Sequence, residues 1–202
     1  IKCGNTRGLC LVSQGKWTEA EQEFRTALQL AEEQHDTHYA RLIVHNLGLP
    51  PMMRGDFGEA LRWLRRLLRN DRQTFPLPQE ATANLNMARC HFYRGEFQDC
   101  ERRLDLALEL CQLFNLISLR AESFETYGNL HRELGDTARA AQFYERAERD
   151  YDLAGVELSR QELLDEQAVL KLQIGELAAA RKLIEQLVNA RRQFNDETGL
   201  YT

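Results

Sequence analysis

No run of 18 consecutive apolar residues occurs in the 202-residue chain, so no segment has the apolar length that a bilayer-spanning helix needs. Cysteine is sparse and unpaired in pattern: five residues with no CxxC spacing, an odd count that argues against a disulfide framework and for a reducing, cytoplasmic setting. Lysine is scarcer still, with only Lys2, Lys16, Lys171 and Lys182 among 26 basic residues. The 31 acidic residues leave a net charge of −5 with both signs interspersed, which does not favour direct nucleic-acid binding through a basic surface, and none is expected. The signatures of catalysis are missing as well: no GxSxG, no P-loop, no HExxH and no GxGxxG. His35, His38 and His45 have neither cysteine nor a carboxylate at ligand spacing. The chain is therefore expected to be no enzyme and to hold no cofactor and no metal. No signal peptide is visible and the chain opens on Ile1, so a piece of a longer or processed protein is expected.

What the sequence does have is a repeat. The stretch from Gly15 to Leu28, GKWTEAEQEFRTAL, returns at Gly55, Gly95, Gly135 and Gly175, always 40 residues on and without insertion or deletion. Such a period is the mark of a stacked array of helical units. The glycine column suits a helix that ends in a left-handed residue, which glycine adopts without a Cβ penalty. Two residues later comes a plug, Trp17, Phe57, Phe97, Thr137 and Leu177, polar only at Thr137. A small residue follows at Ala20, Ala60, Cys100, Ala140 and Ala180, where two helices approach closely. Large side chains at Phe24, Leu64, Leu104, Tyr144 and Ile184 complete an amphipathic stripe with Ala27, Leu67, Ala107, Ala147 and Leu187. Seven residues before each glycine lies another small residue: Gly8, Gly48, Ala88, Gly128 and Ala168. Asp56 with Glu59 three residues on has the form of a capping box.

These columns resemble the tetratricopeptide repeat: a small residue at repeat position 8, glycine near 15, an aromatic near 17, alanine at 20, an aromatic at 24 and alanine at 27. The resemblance covers the whole chain and implies an all-α, right-handed superhelical solenoid of five helix-turn-helix repeats. Their approximate limits are 1–40, 41–80, 81–120, 121–160 and 161–200 in a single array over 1–202. The period is longer than the usual 34, and position 32 holds Glu32, Arg72, Gln112, Asp152 and Arg192 in place of proline. Without proline the second helix can run on, six residues adding about 9 Å if wholly helical. Long repeats of this kind are similar to those of kinesin light chains, spindle-orientation adaptors and the sensor arrays of bacterial signal-transduction ATPases.

The resemblance also implies a function, namely that a protein or peptide segment lies in a concave groove lined by the first helices, at repeat positions 2, 5, 9, 12 and 13. In this chain those positions give Asn5 in repeat one; His45, Leu49, Met52 and Met53 in repeat two; and Arg89, Phe92 and Tyr93 in repeat three. Repeats four and five turn acidic, with Glu122, Glu125, Asn129 and Arg132 followed by Glu162 and Asp165. A partner with apolar anchors and basic residues is implied. The clamp with which chaperone-binding arrays hold a terminal carboxylate is missing, since its places hold Asn5, Leu9, Asn46, Thr82 and Asn86 and only the middle asparagine matches. Two other uses of such an array stay open: a sensor domain in a bacterial signalling or transcription regulator, and a scaffold that spaces or oligomerises other domains.

Three local features depart from a plain array. Pro50 and Pro51 fall inside the first helix of repeat two, whose carbonyls at Asn46 and Leu47 they leave without donors, so a kink or unwinding near Leu49 is expected. The segments HDTHYA (35–40) and NDRQTFPLPQ (70–79) read as links, and Gly199 as the start of a loose tail.

Overall fold

The structure is a computed structural model and describes residues 1–69 and 78–198. The described residues form eleven helices. In order they are α1 (Lys2–Ser13), α2 (Trp17–Glu33), α3 (Thr37–Asn46), α4 (Leu49–Met53), α5 (Phe57–Arg69), α6 (Pro78–Tyr93), α7 (Phe97–Phe114), α8 (Ile117–Glu133), α9 (Thr137–Ala154), α10 (Glu157–Gln173) and α11 (Leu177–Thr198). The chain is all-α and built of helix pairs, with α3 and α4 together serving as one first helix. Two compact units divide it, Ile1–Phe114 and the residues from Asn115 onward.

Every glycine of the 40-residue column has a positive φ, from 73° at Gly15 and Gly95 to 81° at Gly55. Each closes its helix with the same two backbone bonds. At Gly15 the glycine N–H donates to the Val12 carbonyl at 3.0 Å and the Lys16 N–H to the Leu11 carbonyl at 2.9 Å. The matching pairs recur at Gly55, Gly95, Gly135 and Gly175, so the carbonyls that a helix end would leave open find donors in the turn itself. A Cβ on Gly135 would meet nothing within 4 Å. The cost of a side chain there lies in the dihedral alone, and Gly135→Val should lower stability by about 1–2 kcal/mol, read as a lower denaturant midpoint.

A second left-handed column lies half a period away. His35 (φ 54°), Asn115 (φ 53°) and Gly155 (φ 66°) end the second helices, and His35 and Gly155 close with the same pair of bonds, to Glu32 and Ala31 and to Asp152 and Tyr151. This column places the helix starts. The first helices begin at Thr37, Pro78, Ile117 and Glu157, three or four residues before the expected repeat limits. Most of HDTHYA and the Pro78–Gln79 end of NDRQTFPLPQ are therefore helical rather than linking. Asp36 accepts from the Tyr39 N–H at 3.0 Å to cap α3, and Pro78 suits a first helical position, where its missing N–H costs nothing. Pro76 and Gly199 lie outside the described residues. The residues beyond a 34-residue period are thus shared between the two helices of a repeat, 17 residues in α8 and 18 in α9.

Asp56 and Asp136 cap α5 and α9 by accepting from the N–H groups of Glu59 and Arg139. Half of the expected capping box forms at Asp56, because the Glu59 carboxylate faces Arg25 and Arg54 instead, each at 3.6 Å. The proline pair acts as expected but slightly earlier: the helix breaks at Leu47–Gly48, and α4 resumes with Pro50 and Pro51 in its first turn. Gly48 is small for a packing reason, since a Cβ there would stand 3.1 Å from Leu64 and 3.2 Å from the His45 carbonyl.

The core follows the columns. Ala20, Ala60, Cys100, Ala140 and Ala180 are fully buried, as are Phe24, Leu64, Leu104 and Tyr144 to within 1%. In the first unit Phe24, Ala27 and Ala31 join Ile43, Val44 and Leu47 in one cluster; in the second, Tyr144, Ala147 and Tyr151 join Leu163 and Leu170. Each second helix is thus sealed by the first helix that follows it within the unit. Among the described residues, no helix is long and apolar enough to cross a membrane.

Candidate functional site

In the first unit the expected surface residues separate into two groups. Asn5 and His45 belong to an internal polar ladder. The Asn86 Nδ2 lies 3.4 Å from His45 Nε2, His45 Nδ1 lies 3.2 Å from Asn46 Oδ1, and Asn46 Nδ2 donates to Asn5 Oδ1 at 2.8 Å. Donor and acceptor match at every rung only if His45 is neutral with its proton on Nδ1. Burial lowers the pKa of His45, and its bond to Asn46 opposes this only in part. Asn46, the one residue that fits the carboxylate clamp, is itself buried and spent on Asn5.

The ladder carries a pH prediction. His45 has a folded pKa below its ordinary value, so the folded chain binds fewer protons than the unfolded one. The stability from the neutral ring is complete above about pH 6.5 and falls as the pH drops below it, by at most about 1.4 kcal/mol per pH unit for one proton. Urea midpoints measured from pH 7.5 to 5 should fall less steeply in His45→Gln than in the parent; equal slopes would show that His45 is not the responsible group.

The second group in this unit is apolar. Leu49 and Met52 are half-buried, and Met52 packs on the core. Met53 is 50% exposed and Tyr93 66% exposed. Tyr93 stacks on Phe57 with ring centres 5.2 Å apart and planes 11° from parallel, and it meets Phe92 edge-on at 5.3 Å. Phe92 in turn leans on Phe97 at 6.3 Å. The plug column and the end of a first helix therefore make one aromatic patch. Its rim is charged but compensated: Arg54 pairs with Glu21 at 3.0 Å and Arg94 with Glu96 at 2.6 Å. Arg89 sits half-buried one turn before Phe92.

In the second unit the expected residues are polar, and several are structural. Glu125 accepts from the Tyr151 hydroxyl at 2.5 Å and Asn129 from the Tyr144 hydroxyl at 2.6 Å. Arg132 is bound to Glu166, with its Nε buried and unpartnered. Glu122 is half-buried, while Glu162 and Asp165 are exposed. Buried tyrosines thus use Glu125 and Asn129, and the exposed acids are Glu162 and Asp165 of α10. Sequence columns alone did not reveal that Tyr144 and Tyr151 would take these partners, although a tyrosine in an apolar column needs an acceptor for its hydroxyl.

Two other clusters bear on chemistry. His91, Glu96 and Asp99 bring ligand atoms within 4.8 Å of one another. His91 Nδ1 is 2.6 Å from Glu96, Glu96 also holds Arg94, and Asp99 holds Arg102 at 3.2 Å. The carboxylates are thus already met by cations of the chain itself. Lys171 and Glu176 make the same contact at 2.7 Å in the last repeat, so the pair is a turn clasp between repeat positions 11 and 16. Burial pushes the Cys90 and Cys100 thiols up to about 12, leaving almost no thiolate at neutral pH and a packing role for both.

Residues 79–152 match the family model of the tetratricopeptide repeat. This stretch, which holds α6 to α9 and the Gly95 and Gly135 turns, belongs to the tetratricopeptide repeat family, and the same columns recur in the helix pairs on either side. Among solved structures, a Podosopora anserina protein of nearly identical TPR-like repeats, of the kinesin light chain type, superposes with a TM-score of 0.70 at 16% identity. That alignment covers 96% of this chain and 95% of the other. The apo form of RapI gives a TM-score of 0.74 at 14% identity, over 98% of this chain and 71% of that one. BtubC from P. vanneervenii gives 0.70 at 16%, over 86% and 72%. At these identities the likeness is one of fold. No curated protein matches the chain.

Proposed function

We propose that this chain is a protein-interaction module whose first-helix surfaces bind a segment of another protein in a reducing, cytoplasmic setting, without catalysis. Apolar side chains of the partner lie on Met52, Met53, Phe92 and Tyr93, and its basic residues face Glu122, Glu162 and Asp165, Glu125 being taken up by the Tyr151 hydroxyl. The observation that carries the reading is the exposed Tyr93 stacked on Phe57, with Met53 exposed at the same repeat position of the preceding pair. A methionine and an aromatic ring left to solvent, the ring against a packed aromatic cluster, are the kind of anchor that supplies most of an interface's affinity. Support for the second half comes from the exposure of Glu162 and Asp165 on α10. The free state of all five cysteines supports the compartment.

The two surfaces should answer differently to salt, because exposed charges are screened within about 8 Å at physiological ionic strength while apolar burial is not. With a partner recovered by pull-down, Met53→Ala with Tyr93→Ala should raise the dissociation rate about tenfold, equivalent to 1.4 kcal/mol, and keep the salt dependence. Glu162→Gln with Asp165→Asn should mainly slow association and flatten that dependence. These sites are solvent-exposed, so the fold should survive. If both double variants bind like the parent at low and at moderate salt, the partner uses another face.

A further inference from the structure

We propose that the exposed side of α5, together with Arg103 of α7, docks an acidic segment of a partner protein whose carboxylates meet Arg62, Arg65 and Arg103. The face lies on second helices between the Gly55 and Gly95 turns, and it shares no residue with the first-helix surfaces above. α5 carries four arginines against one glutamate in a chain that is acidic as a whole. Arg62 and Arg65 stand three residues apart on its exposed side.

What these arginines lack is visible one helix pair earlier. Arg25, in the same column as Arg65, has three partners: Glu21 one turn before it at 2.6 Å, Glu59 across the junction with α5 at 3.6 Å, and the Trp63 ring at 5.2 Å. Forty residues on, the three places hold Leu61, Asp99 and Arg103. Leu61 is buried in the core, Asp99 is bound to Arg102 at 3.2 Å, and Arg103 repels Arg65. Arg103 is half-buried and donates to Asn84 Oδ1 at 3.1 Å. Burial, and then the charge of Arg65, lower its pKa. Arg62 has no acid of its own either, since the one a turn before it is Glu59, which faces Arg25 and Arg54. Neither Arg62 nor Arg65 makes a side-chain hydrogen bond or ion pair with any described residue. Two exposed guanidiniums and a half-buried third, in columns whose carboxylates have been replaced or taken, call for carboxylates from outside. Arginine holds such groups through paired N–H donors.

The width of the face decides the class of partner. α2, which meets α5 through Arg25 and Trp63, carries five glutamates against one arginine. α7, on the side of Arg103, carries four acids against two arginines. The cationic strip is therefore one helix wide. A short acidic segment fits it, whereas a nucleic-acid strand would run its phosphates onto the flanking acids.

Fluorescein-labelled octaglutamate, with octaglutamine as its uncharged counterpart, tests this by fluorescence anisotropy on the intact 202-residue chain at low ionic strength. Octaglutamate should bind saturably and octaglutamine should not. Arg62→Gln with Arg65→Gln, at two exposed sites, should weaken binding about tenfold or more and leave the circular dichroism melt unchanged. Arg139→Gln with Arg149→Gln removes the same charge from exposed sites of α9 and should bind within about twofold of the parent. The proposal is overturned if the parent shows no saturation up to about 1 mM, if the α5 variant binds like the parent, or if the α9 variant loses as much as the α5 variant. It is also overturned if an oligouridylate of equal charge binds the parent more tightly than octaglutamate and is lost in the α5 variant, since a nucleic acid is then the occupant. A parent dimer in low-salt sedimentation that the α5 variant dissolves would overturn it too, because a second copy then covers the face.

Discussion

Gly128→Ala should lower the stability of the second unit by about 1–3 kcal/mol, the usual cost of forcing a methyl group into a packed core. A Cβ on Gly128 would stand 2.3 Å from Tyr144 Cε1 and 2.4 Å from Cδ1. The ring cannot swing aside cheaply, because its hydroxyl is tied to Asn129 at 2.6 Å. Repeat three suggests the remedy: the same two columns hold Ala88 and Leu104, and both are fully buried. Where the large residue is aliphatic the small one can be alanine; where it is aromatic, as at Phe24 and Tyr144, the chain has glycine. Gly128→Ala with Tyr144→Leu should therefore recover part of the loss seen in the single variant. Amide exchange should place the damage in α8 to α10. A neutral Gly128→Ala in thermal melts would mean that the two helices are farther apart than described.

Asp150→Ala should cost about 1.5–3 kcal/mol, the range for hydrogen bonds to charged groups. Asp150 is buried on α9 and receives both Nε and an Nη of Arg120 on α8, at 2.6 and 2.7 Å. The two parallel bonds fix one helix against the other near the end of the pair that lies away from the Gly135 turn. Removing the carboxylate takes both parallel bonds from a guanidinium that is only one-third exposed. Adding Arg120→Leu should then restore stability in part, because a pair lost together costs less than a charge left behind. If the double variant were no more stable than the single one in urea titrations, the loss would be one of packing around Asp150.

The helix pairs were legible from residues whose cost elsewhere is steep. A left-handed turn excludes a β-branched residue and strains most others, so five glycines at a fixed interval announce five turns. The other turns were hidden because histidine and asparagine tolerate that conformation at modest cost, and His35 and Asn115 do not look alike. Missing them displaced the start of each first helix by three or four residues. The surface was legible only in part. A repeat position places a side chain on a column, but whether it faces solvent depends on its neighbours. Asn5 was turned inward by Asn46, and Glu125 was claimed by the Tyr151 hydroxyl; nothing within either column announces these partners. Met53 and Tyr93 were easier, since position 13 is the last residue of a first helix and has no following turn to cover it.

The left-handed residues also set how this chain can fold. They stand at 15, 35 and 55 and again at 95, 115, 135, 155 and 175, so within each of these two runs the chain reverses direction at twenty-residue intervals. The longest side-chain hydrogen bonds cited above, Asn46 to Asn5 and Asn86 to His45, span only 41 residues. Closing a loop of that size costs little more entropy than closing one of twenty, roughly 0.6 kcal/mol for the doubling. Folding can therefore start at any adjacent pair of helices and spread to its neighbours, at the fast rates of proteins dominated by local contacts. Damage to one pair, as at Gly128, need not delay the formation of a pair two turns away.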